Sequence, residues 1–85
     1  MDDFIELPQP MNTYAITLRA LNIYDAPMVG AKMIGVVPSG KRVAVVDFKV
    51  SPDAGKIFML IGGYPAQWIT AYHNGQMNVN FLIGA

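Results

Sequence analysis

The stretch Trp68-Ile69-Thr70-Ala71-Tyr72-His73-Asn74-Gly75-Gln76-Met77-Asn78-Val79-Asn80-Phe81-Leu82-Ile83 holds the strongest short-range signal in the chain, an Asn-Gly pair between two β-rich runs. Asn and Gly tolerate the consecutive positive φ angles of a type I′ turn, whose twist matches that of the strands it joins. Residues 68–73 and 76–83 are therefore expected to form a hairpin. Counting back from the turn, His73 faces Gln76, Tyr72 faces Met77, Thr70 faces Val79 and Trp68 faces Phe81. This register makes Trp68, Tyr72, Met77, Val79 and Phe81 the core face and sends Ile69, Ala71, Asn78 and Asn80 to the other side.

The residues before this hairpin continue the β pattern. From Tyr14, Ile16 and Leu18 alternate with Thr17 and Arg19, and the apolar phase slips at Ala20-Leu21 as it would across a bulge, giving a first strand that ends near Tyr24. Asp25-Ala26-Pro27 and Gly30 punctuate a loop before a second strand, Met33-Ile34-Gly35-Val36-Val37. Pro38-Ser39-Gly40 is a turn. In residues 41–50, Val43 and Val45 share one face before the parity passes to Val46, Phe48 and Val50, which implies a bend near Val45. Ser51-Pro52-Asp53-Ala54-Gly55 is a loop, and residues 56–61 make a fourth strand, broken by Gly62-Gly63-Tyr64-Pro65. No segment keeps a helical apolar spacing. Short strands with turn residues between them describe a small all-β barrel or sandwich.

Composition narrows the function. Of 85 residues, 53% are hydrophobic and 14% charged, which describes one compact domain rather than a disordered chain. Six basic residues balance six acidic ones, so no net field draws in nucleic acid or an anionic membrane. There is no cysteine, hence no disulfide or thiolate metal site. The start, Met1-Asp2-Asp3-Phe4-Ile5-Glu6, is acidic where a secretory signal is basic, and apolar runs such as residues 57–61 fall far short of the roughly 20 residues that span a bilayer. A cytoplasmic or virion-associated protein is expected, unless the chain is excised from a larger secreted one. Residues 1–12, with Pro8 and Pro10, read as an extended N-terminal arm, and residues 13–85 as the domain.

Residues 20–48 contain Leu21-Asn22-Ile23-Tyr24-Asp25-Ala26-Pro27, then Ile34-Gly35 and Gly40-Lys41-Arg42-Val43, and Trp68-Ile69-Thr70-Ala71 follows farther on. This pattern resembles the bacterial SH3-like domain family, with its Leu-Asn-Val-Arg-x-x-Pro opening, Ile-Gly, Gly-x-x-Val and Trp-x-x-Val. Tyr24 stands in place of the family's Arg, and Asn78-Val79-Asn80 in place of its C-terminal Gly-Trp-Val. The resemblance implies an SH3-like barrel of five to six antiparallel strands. It also implies a non-catalytic module that binds a peptide, a protein segment or a cell-wall stem peptide.

The chemistry of catalysis is poorly supplied. Gly35-Val36-Val37-Pro38-Ser39-Gly40-Lys41 begins like a phosphate-binding loop, but Arg42 replaces the magnesium-holding Ser or Thr and a strand follows where the loop needs a helix. His73 is the single histidine and flanks a turn; with no cysteine, a zinc or copper site lacks ligands, and the acids lack calcium-loop spacing. No cofactor is expected. Aromatic residues are the better lead, because Tyr and Trp join an apolar face to a hydrogen-bonding edge. Tyr24 and Tyr64 lie beside loops, and the family analogy brings Asn22, Tyr24 and Asp25 to a shallow groove. Trp68 belongs to that groove by analogy and to the core by register. The expected function is a non-enzymatic binding module; the alternative is a structural or assembly protein, a small virion or appendage component, whose apolar surface is a subunit interface in a homo-oligomer.

Overall fold

The computed structural model describes residues 13–63 and 65–83. Among them are nine strands: β1 (Thr13–Thr17), β2 (Leu21–Tyr24), β3 (Met33–Val37), β4 (Arg42–Ala44), β5 (Asp47–Ser51), β6 (Lys56–Gly63), β7 (Ala66–His73), β8 (Gln76–Met77) and β9 (Val79–Ile83). A single 3-10 turn, Pro52–Ala54, joins β5 to β6. Every ladder is antiparallel. One sheet has the order β4-β1-β9 and the other β3-β2-β7-β6-β5, with β8 paired to β7.

The all-β expectation holds, but the two sheets are not closed into a barrel, and the strands outnumber the five to six expected. The reason lies at the phase slips. The first expected strand is two, β1 and β2, on opposite sheets, and residues 41–50 likewise divide into β4 and β5 around Val45 and Val46. A change of parity in these runs marks a strand leaving one sheet for the other, a corner that sandwiches make by bends.

The same physics corrects the hairpin. Asn74 and Gly75 adopt φ of 49° and 87°, and Tyr72–Met77 and His73–Gln76 pair as the turn dictates. Beyond Met77 the strand departs. Asn78 donates its backbone N–H to Ala71 O at 2.8 Å and its side-chain Nδ2 to Thr70 O at 2.9 Å, while its own carbonyl accepts from Leu18 N–H at 2.9 Å. The asparagine thus holds β7 with one set of groups and delivers the chain to β1 with another. Phe81 pairs with Ala15, and Trp68 pairs with Leu60 and Tyr24, so the expected pairs Trp68–Phe81 and Thr70–Val79 do not form.

The core lies between the sheets and draws Ala15, Leu21, Val37, Val43, Met59, Ile69, Ala71 and Val79 from both. Ile69 and Ala71 of β7 therefore face inward, opposite to the assignment made from register, and Trp68 is half-buried on the outer face. Thr17, buried at the end of β1, donates its hydroxyl to Pro38 O at 2.6 Å and accepts from Lys41 N–H at 2.9 Å, tying the Pro38-Ser39-Gly40 turn to the sheet corner.

Candidate interaction site

Residues directly opposite on paired strands share a face, so register sorts the side chains of the larger sheet. Phe48 pairs with Met59 and Val50 with Ile57; Met59 pairs with the buried Ile69, which puts Phe48, Val50 and Ile57 on the inner face. Ile57 is opposite Tyr72 and Phe58 is opposite Thr70, so Ala71 is an extra residue in β7. This bulge turns both Ala71 and Tyr72 inward. Tyr72 carries Met77 with it across the turn.

These inner residues are not all covered. Strands lie about 4.8 Å apart, so a three-stranded sheet is roughly 10 Å narrower than the five-strand path it packs against. The overhang falls at β5, β6 and β8. Phe48, Val50, Ile57, Ala71, Tyr72 and Met77 line one side of a groove of about 400 Å³, and Phe81 of β9 closes it from the smaller sheet. Phe48, Val50, Met77 and Phe81 are each 39–60% exposed, and the lining is wholly apolar. A second hollow, sharing Val50, Ile57 and Tyr72 with the first, extends it toward Lys56, Ser51 and Gly55.

The residues expected to bind ligand lie elsewhere. Asn22, Tyr24 and Trp68 do meet, on the outer face of β2 and β7: Tyr24 pairs with Trp68, and Asn22 Nδ2 donates to Tyr24 Oη at 3.3 Å. Asn22, Tyr24, Ala20, Leu21 and Thr70 line a shallow hollow of about 200 Å³ there. Tyr24 is half-buried at the end of β2 rather than in the loop. Asp25 has a local task, since its carboxylate accepts from Lys32 N–H at 3.1 Å and its backbone N–H donates to Lys32 O at 3.0 Å, closing the loop between β2 and β3. Tyr64 and the arm, residues 1–12, lie outside the described residues.

Sequence reading missed the inter-sheet groove because its residues come from five strands whose faces depend on a bulge and on the strand exchange at Asn78. One signal was present: the parity change at Val45 already put Phe48 and Val50 together on a new face. His73 is exposed at the turn, with Nε2 3.2 Å from Asn74 Nδ2. Among the described residues, no three of His, Cys, Asp and Glu are grouped so that they could hold a metal ion.

The fold and site define an all-β protein of two unequal antiparallel sheets with an apolar groove at their open end. No family model, no curated protein and no solved structure matches this chain.

Proposed function

We propose that this chain is a non-enzymatic binding module that takes an extended, apolar protein segment into the groove between its sheets. The carrying observation is the groove itself, aromatic at both rims, lined by no charged side chain in its apolar part and built on strands rather than on loops. A preformed apolar concavity suits side chains entering from a strand-like peptide. Such a lining offers nothing to the carboxylates and amine of a cell-wall stem peptide, so a protein segment is the better-supported ligand. Kinship with SH3-like domains belongs to this proposal, supported by the motif residues of β2, β3, β4 and β7.

The reading as an assembly protein has its own observation. Met33, Ile34 and Val36 on the edge strand β3, and Met28 and Val29 in the loop before it, are all exposed. A largely apolar edge of this kind is a surface that other chains pair with.

Selection from a displayed library of random dodecapeptides on the immobilised protein tests the leading reading. Apolar-rich peptides are expected, with affinity reduced at least about tenfold by Phe48→Glu or by Met77→Glu, a loss of about 1.4 kcal/mol. Peptides that bind both variants undiminished, and lose affinity on Tyr24→Ala instead, would move the site to the outer face.

A further inference from the structure

We infer that the occupant of the groove is the N-terminal segment of a second copy of this chain, with Phe4 and Ile5 seated against Phe48, Tyr72 and Phe81. The inference rests on the reading of the groove as a site for an extended apolar segment, and three observations identify the segment.

The first is where the chain leaves the described fold. Thr13 pairs with Ile83, two residues beyond the Ala15–Phe81 pair, so residues 1–12 depart about 7 Å from the rim of the groove. The second is stiffness. Pro8 and Pro10 fix their own φ and bias Leu7 and Gln9 to extended backbone, which advances about 3.1 Å per residue. Phe4 and Ile5 are eight or nine positions from Thr13, a reach of about 25 Å at that spacing, against the roughly 7 Å that separates Thr13 from the rim of its own groove.

The third is charge. Residues 1–12 contain Asp2, Asp3 and Glu6 and no basic residue, a formal charge of −3; residues 13–85 contain all six basic residues against Asp25, Asp47 and Asp53, a formal charge of +3. The neutral whole conceals two complementary parts. Asp2, Asp3 and Glu6 flank the Phe4-Ile5 pair, so an apolar pair with acidic neighbours meets an apolar cleft on a domain of opposite formal charge. Exchange of identical segments between copies is an economical route to a symmetric oligomer.

The test uses full-length chains in sedimentation velocity. The parent is expected to be a dimer or larger. Phe4→Asp with Ile5→Asp spoils the segment, Phe48→Glu spoils the groove, and each variant alone should sediment as a monomer or at least tenfold weaker self-associate. Mixed, the two should form a 1:1 complex, because one supplies an intact segment and the other an intact groove. A fluorescent peptide of residues 1–12 should bind the segment-spoiled chain and not the groove-spoiled one. If the peptide binds but the parent is monomeric and the variants do not complement, the segment lies in its own groove and the exchange is overturned. If the peptide fails while library peptides bind, the segment is the wrong occupant and the groove reading survives; if neither binds, both fall. A parent dimer that persists in both variants places the interface elsewhere and overturns the inference.

Discussion

The rings of Phe48 and Phe81 meet edge to face, with centroids 5.9 Å apart and planes inclined at 60°, although one belongs to β5 of the larger sheet and the other to β9 of the smaller. They form a bridge across the open end of the sandwich. A double-mutant cycle with Phe48→Ala and Phe81→Ala in urea denaturation should therefore give a coupling of about 0.5–1.5 kcal/mol, the usual worth of such a ring pair. A coupling near zero would mean that the sheets are held together at this end by other contacts.

The face assignment of β7 predicts an order of stabilities. Ile69 is fully buried between the sheets, and Ile69→Ala should cost about 2–5 kcal/mol, whereas Trp68→Ala on the outer face should cost less despite the larger side chain. Register from the hairpin alone leads to the reverse order. Thermal and urea unfolding of the two variants decides between the two faces.

Thr17 presents a buried hydroxyl with both a donor and an acceptor partner. Thr17→Val keeps the shape but leaves the Pro38 carbonyl and the Lys41 amide without that partner, at an expected cost of about 1–3 kcal/mol. Amide hydrogen exchange at Lys41 should speed up in the same variant, since the loss is local to the turn it anchors.

Gly55 sits at φ 64°, and a side chain there would run into the Asn74 carboxamide, while Asn74 N–H donates to Gly55 O at 2.8 Å. Gly55→Ala should destabilise by at least about 1 kcal/mol from its left-handed backbone alone. Adding Asn74→Gly, which the type I′ turn accepts, should recover part of the loss by removing the collision. Full recovery would show that the backbone angle costs nothing at this position.

The chain's local chemistry determined its elements. Asn74-Gly75 specified its turn and the two pairs beside it, because a two-residue type I′ loop admits a single register, and the parity changes near Ala20 and Val45 marked where strands bend. The meeting of Asn22, Tyr24 and Trp68 followed from none of these, since Tyr24 reaches Trp68 only through the ladder between β2 and β7. Tertiary structure alone decided which face of β7 is inside. A period of two says that alternate residues share a face but not which face is covered, and that choice was made by Asn78, which passes β9 to a strand about sixty residues earlier. The groove was decided in the same way. A cleft lined by β5, β6, β7, β8 and β9 exists because one sheet is narrower than the other, and the relative width of two sheets is a property of their assembly that no stretch of neighbouring residues carries.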